Sequence, residues 1–163
     1  MTPSDFAHAT DQRTPPRQVA TFMLDQLYFG VEVLKVQEVI RYQELTRIPL
    51  APPVVEGLIN LRGQIVTAIE LRRRLGLSNR KEGELPMNVV VRTSDGVVSL
   101  LVDEIGDVVE VAEAQFEQVP DTLAGPTRDL VRGVYKLKDR LLLLLDEERA
   151  AVVDGSDAGE RAH

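Results

Sequence analysis

Between residues 56 and 75 the chain reads E-G-L-I-N-L-R-G-Q-I-V-T-A-I-E-L-R-R-R-L, and no other stretch constrains the fold as strongly. Apolar side chains stand at Leu58, Ile59, Leu61, Ile65, Val66, Ala68, Ile69 and Leu71, interrupted by one Arg62-Gly63 pair. Glycine supplies the positive φ that a tight reversal needs, so the stretch predicts a β-hairpin with an arginine at its tip. It contains no catalytic nucleophile, phosphate-cradling loop or metal-ligand set. The feature suggests a surface that holds a partner.

The rest of the chain repeats this grammar of short strands and marked turns. Residues 19–24 read as a strand, Asp25-Gln26 as a turn, and 28–33 as a second strand in which Phe29, Val31 and Val33 alternate with Tyr28, Gly30 and Glu32. A short helical turn over 34–37 precedes a strand over 38–42. Pro49, Pro52 and Pro53 make a long strand in the next connection unfavourable. A short helix over 70–75 ends at Gly76. Strands over 88–92 and 97–103 flank Ser94-Asp95-Gly96, and 107–111 extends the sheet. Residues 112–118 suit a short helix, and Gly125-Pro126 a turn. Strands over 131–137 and 140–146 flank Lys138-Asp139. The run Leu141 to Leu145 is ambiguous by periodicity alone, but its length and flanking turn favour a strand covered on both faces. Residues 147–153 read as a short C-terminal helix. Together these elements predict an all-β barrel architecture.

Composition removes several function classes. The 163 residues, 44% of them apolar, suffice for one domain or two small barrels sharing a core. Aromatics are only 4%, with no tryptophan, so valine, leucine and isoleucine must fill the interior. There is no cysteine, which excludes disulfides, thiolate chemistry and sulfur-ligated zinc, and fits a cytoplasmic protein. The two histidines, His8 and His163, fall in segments 1–17 and 154–163, expected to be flexible tails around a folded region 18–153. A Ser-His-Asp or Cys-His enzyme and a histidine phosphotransfer domain are therefore unfavourable readings. No apolar signal-peptide core is visible near the N-terminus, and the longest apolar run is far short of the ~20 residues that span a bilayer.

Charge points the same way. A net charge of -7 repels nucleic acid unless a basic patch is segregated. The candidate patch, Arg72, Arg73, Arg74, Arg80 and Lys81, lacks interleaved aromatics and reads as a solvated helix face. Asp103 and Asp107, with Glu104 between, resemble a carboxylate cluster. A spacing of four along a strand spreads ligands over about 13 Å, so turn capping or solvation is expected there instead of a metal.

Four ordered motifs resemble the CheW family, the adaptor proteins of bacterial chemosensory arrays. Gly57-Leu58-Ile59-Asn60-Leu61-Arg62-Gly63-Gln64-Ile65-Val66-Thr67-Ala68-Ile69-Glu70-Leu71-Arg72 is similar to that family's G-[VI]-[IT]-N-L-R-G-x-[IV]-[VI]-P-[IV]-x-[DE]-L-R pattern, with Leu58, Thr67 and Glu70 as departures. Tyr28 to Ile40, Thr46-Arg47-Ile48-Pro49 and Leu101 to Val108 supply the others. The resemblance implies two intertwined five-stranded SH3-like barrels with a short C-terminal helix. Glu147 stands where that family commonly has isoleucine, so the helix is expected to pack differently here.

The resemblance also implies a site. Arg62, Glu38, Val36, Val39, Met87 and Val108 would form a groove for the cytoplasmic tip of a methyl-accepting chemoreceptor, with Glu38 as a rim charge beside Arg62. Val36 and Glu38, two residues apart, would share a sheet face. Thr46, Ile48, Gly57 and Leu58 would face the regulatory domain of a CheA-type histidine kinase, and further CheW copies would be partners in array rings. No cofactor, metal, nucleic acid or direct membrane insertion is implied. Read without the family, Arg62 is a solvated tip residue, the valines are ordinary core and Glu38 is an exposed strand charge.

Three rival readings stay open at the level of sequence. A CheW-like adaptor could serve type IV pilus, developmental or cyclic-di-GMP signalling. A small enzyme could rely on carboxylates such as Glu38 and Asp103, provided a cleft pairs them with separated pKa values. A barrel interior could bind small apolar ligands.

Overall fold

The computed structural model describes residues 17–153; the expected tails lie outside the described residues apart from Arg17, which begins the first strand. Eleven strands follow one another as β1 (Arg17–Leu24), β2 (Leu27–Glu32), β3 (Val36–Ile40), β4 (Val55–Leu61), β5 (Gln64–Glu70), β6 (Met87–Thr93), β7 (Gly96–Val102), β8 (Glu104–Val111), β9 (Phe116–Glu117), β10 (Val131–Lys136) and β11 (Leu141–Leu145). Helices are single turns: α1 (Leu71–Arg74), α2 (Gly125–Asp129) and α3 (Glu147–Ala150), with 3-10 turns at Val33–Lys35 and Glu113–Gln115.

The strands form two sheets, ordered β8-β1-β2-β11-β10-β9 and β3-β6-β7-β5-β4. The chain thus begins in the first sheet, builds all of the second, and returns to complete the first. The N-terminal hairpin is held by C-terminal strands, which is how the two halves intertwine. All pairings are antiparallel except β2 with β11 and β5 with β7.

Period-two alternation sends the side chains of the central strands to two different cores. Leu142 and Leu144 join Val19, Tyr28, Val111 and Tyr135 inside the first sheet's curl. Leu143 and Leu145 face the other way, joining Phe22, Phe29, Val31, Val89, Val91, Leu100 and Val102 between the sheets. The leucine run is therefore a strand covered on both faces, as its length suggested. Ile59, Leu61, Val66, Ala68, Val90 and Leu101 fill the second curl. Both barrel interiors are occupied by packed side chains.

Local chemistry explains the turns. Asp25 and Gln26 both have positive φ, 49° and 71°, and close β1 onto β2 in the two-residue form that matches strand twist. Arg62 shares the left-handed conformation of Gly63, with φ of 50° and 92°, so both central residues of the β4–β5 hairpin turn the chain. The Gly63 amide donates to Asn60 Oδ1 at 2.8 Å and fixes this tip.

Two expectations fail locally. Residues 112–118 are a 3-10 turn followed by β9, which pairs with β10 and raises the first sheet from five strands to six. Gly133 permits this, because a Cβ there would collide with the Phe116 ring, which packs edge-on against Tyr135 at 5.1 Å. Gly125-Pro126 begins α2 rather than a simple turn, with proline at the helix start where its missing N–H costs nothing.

Candidate functional site

The second sheet curls until its two edge strands, β3 and β4, approach each other. Two contacts mark the approach. Thr46 and Leu58 exchange backbone hydrogen bonds, each at 2.8 Å, so the connection after β3 runs along β4. At the hairpin tip, Arg62 Nη2 donates to Glu38 Oε2 on β3. The Arg62 side chain is 73% exposed while that of Glu38 is 18% exposed. The hydrogen bond from Arg62 holds the Glu38 carboxyl below the ordinary carboxylate range.

A β-bulge places the flanking apolar residues. Val36 pairs with Val91 but Glu38 pairs with Val90, so one extra residue is inserted at Gln37. Val36 then faces the space between the sheets with Val91, whereas Glu38 faces the other side with Val90. The expectation that Val36 and Glu38 share a face is overturned by that bulge. Val39, paired with Val89, returns to the inter-sheet side. Met87, two residues before Val89, lies on the same side, and both Val36 and Met87 pack against the inter-sheet core. Val39 remains 38% exposed at the margin. Val108 lies on β8, the edge of the other sheet, paired with Ala20 and 58% exposed. Arg62 and Glu38 are thus in direct contact on one face of β3, Val36, Val39 and Met87 form one strip on the opposite, inter-sheet side, and Val108 belongs to a separate edge strand.

The second set of expected residues divides as well. Thr46 and Ile48 are exposed and Leu58 is half-buried. Gly57 is buried, and a Cβ there would lie 2.6 Å from the Thr46 carbonyl oxygen. Its role is to admit the 45–46 backbone, so it shapes this surface without presenting a side chain.

The expected solvated basic face of α1 is broken up: Arg73 and Lys81 are exposed, but Arg72 and Arg80 turn inward. Arg72 is buried and donates through Nε and Nη2 to both oxygens of Asp103, at 2.9 and 2.7 Å, and through Nη1 to the Ser78 carbonyl at 2.7 Å. Arg80 donates to Glu70 Oε1 at 2.6 Å and to Asp103 Oδ1 at 3.1 Å. Arg73 donates to Glu56 Oε1 and to the Pro53 carbonyl. The cause is the shortness of α1: one turn directly after β5 leaves Arg72 inside the junction. Asp103 also accepts from the Asp25 amide at 2.9 Å, so its expected capping role is real, though incomplete. Burial alone pushes the Asp103 carboxyl up, but Arg72, the Asp25 amide and Arg80 outweigh it and hold it below its ordinary value. Burial pushes the Glu70 carboxyl up against the opposing pull of Arg80. Only the fold brings residues 25, 70, 72, 80 and 103 together.

These facts bear on the rivals. Glu38 and Asp103 each answer to their own guanidinium and are both shifted downward, so they do not form an acid–base pair with separated pKa values. Among the described residues, no group of three or more His, Cys, Asp or Glu could hold a metal ion. Among the same residues, no helix is long and apolar enough to cross a membrane.

Residues 18–153 match the family description "CheW-like domain". The chain belongs to the CheW family. It is 30% identical to the chemotaxis protein CheW of Klebsiella aerogenes over 136 residues, covering 83% of this chain and 82% of that one. The CheW of Bacillus subtilis is 30% identical over 84% of this chain and 86% of its own length. Among solved structures, the scaffolding protein TtCheW from Thermoanaerobacter tengcongensis superposes with a TM-score of 0.77 at 27% identity, covering 86% of this chain and 95% of that one. The two-sheet, mainly β architecture is accordingly the CheW fold, and the chain is a non-enzymatic chemotaxis scaffold of that family.

Proposed function

We propose that this CheW-family scaffold couples methyl-accepting chemoreceptors to a CheA-type histidine kinase by contact alone. The observation that carries the reading is Arg62, an arginine 73% exposed at a hairpin tip yet seated on Glu38 of β3, the edge strand whose other face carries Val36 and Val39. Its planar fork has donors to spare for a partner's carboxylate or backbone carbonyl. A charge-assisted hydrogen bond desolvated on binding contributes roughly 1.5–3 kcal/mol. Burying one valine or methionine of the strip contributes about as much. Val36, Val39 and Met87, with Val108 on the other sheet's edge, would take the receptor tip.

Thr46, Ile48 and Leu58, shaped by Gly57, would meet the kinase's regulatory domain on the far side of the β3–β4 approach. Further CheW copies would extend the array, and the protein would work in the cytoplasm beneath its receptors. Signalling then requires differential contact with two states of the partners. Weak single interfaces would suffice, because avidity in an array multiplies them.

Co-sedimentation with receptor-tip fragments and with the kinase regulatory domain tests this reading. Arg62→Glu is expected to weaken receptor association at least about tenfold, through loss of one charge-assisted bond and added repulsion, while kinase association persists. Equal loss of both partners, or receptor binding as in the wild type, counts against it.

A further inference from the structure

The strip on β3 belongs to an edge strand interrupted by a bulge, and something must fix its shape. Its hydrogen-bonding neighbour is β6. The bulge at Gln37 disturbs that ladder between Val36 and Glu38, next to the residues that would meet the receptor. Edge strands with a broken ladder open locally at low cost.

Side chains from β6 cross to β3 at both ends. Near the C-terminal end, Asn88 Nδ2 donates to the Arg41 carbonyl at 3.0 Å, and Ser99 Oγ donates to Asn88 Oδ1 at 2.6 Å, so the buried amide is held in one orientation. At the N-terminal end, Arg92 Nη1 donates to the Val36 carbonyl at 3.1 Å and lies 3.4 Å from the Leu34 carbonyl. Those two oxygens flank the junction between the 3-10 turn Val33–Lys35 and the bulge. Leu34, 85% exposed, projects from this clamped turn.

We infer that Arg92 is a positioning residue for the receptor-facing edge: it touches no partner, but its guanidinium holds the Leu34–Val36 backbone and so sets where Val36, Glu38 and Val39 stand. This rests on the receptor reading of the β3 strip. The arrangement makes a separable prediction, because Arg92 is exposed and its loss removes a bracket on one strand without opening a core.

The test uses the full 163-residue chain. Arg92→Ala is expected to speed amide hydrogen exchange across residues 33–41 in the free protein, leave the melting temperature nearly unchanged, and lower affinity for a receptor-tip fragment about tenfold, as follows if the binding-competent edge is then populated about a tenth of the time. Kinase-domain affinity stays as in the wild type. Arg92→Lys, which keeps a cationic donor, recovers most of both effects. Unchanged exchange across 33–41 overturns the assignment whatever any partner does. Lower receptor affinity without faster exchange also overturns it, since Arg92 would then touch the receptor directly. Faster exchange with full receptor affinity overturns it as well. Arg62→Glu in parallel separates the two claims: a receptor affinity unmoved by that change refutes the site itself and leaves the exchange result to judge the bracket.

Discussion

Arg62 and Arg72 flank the same strand, β5, and each meets a carboxylate, Glu38 in one case and Asp103 in the other. Their surroundings differ. The Arg62 side chain is 73% exposed and makes one bond, whereas that of Arg72 is 10% exposed and makes three, two of them to one carboxylate that also serves Arg80. An exposed pair contributes little to stability because water and salt compete for both charges. A buried, fully bonded pair contributes little against an apolar substitute, but it is costly to break from one side. The same residue type therefore fastens the two halves of the molecule at one end of β5 and remains available to a partner at the other.

The strongest test of that contrast is Asp103→Ala. It would leave Arg72 and Arg80 buried without their shared counter-charge, at an expected cost of about 3 kcal/mol in urea unfolding. A loss below about 1 kcal/mol, the range of exposed pairs, would erase the distinction. Acid titration sharpens it. Because the native Asp103 carboxyl binds its proton less readily than in the unfolded chain, its contribution is full above the ordinary aspartate range. It is lost as the pH falls through the lowered native value. Asp103→Asn should flatten that acid limb. Glu70 runs the opposite way: its raised native pKa makes it cost stability as the pH rises past the ordinary glutamate range.

The sequence carried most of the fold and little of this contrast. Strand alternation and turn residues located every hairpin, because period two and positive φ are local properties. The exceptions needed neighbours: β9 forms since Gly133 admits Phe116, and the bulge at Gln37 follows from β3 pairing with β6. Arg62 and Glu38 were legible as a pair only through the family motifs, and Arg72 was misjudged as solvated. Helical spacing says which residues share a face, but on one turn of helix only Arg73 is exposed while Arg72 turns inward. Burial of Arg72 is set by Asp25, Ser78, Arg80 and Asp103, none adjacent to it in sequence.

A third pair lies between the two extremes. Glu147, at the start of α3, is buried, while its partner Arg132 is 38% exposed and donates at 2.7 Å. Burial raises the Glu147 carboxyl despite Arg132, so the charged form is less at ease in the native state than in the unfolded one. Glu147→Ile should therefore stabilise by about 1 kcal/mol near neutral pH, since Arg132 can turn to solvent. The gain should shrink as the pH falls, because the wild-type carboxyl takes up its proton first in the folded chain. A destabilised variant would mean that the half-exposed arginine depends on Glu147 as Arg72 does on Asp103.

The smallest expected change in stability is at Arg62. Arg62→Ala removes one bond from an exposed guanidinium, so the urea unfolding midpoint should barely move. Glu38 reports the change directly: its carboxyl pKa, depressed in the wild type by the Arg62 hydrogen bond, should rise toward the ordinary range in an NMR titration. A stability loss comparable to that of Asp103→Ala would mean that the tip arginine fastens β3 to β4. The hairpin would then be a structural clasp, and its exposure would no longer argue for a partner. Unchanged stability, a relaxed Glu38 and weakened receptor association together are the signature of a charge kept at the surface for binding.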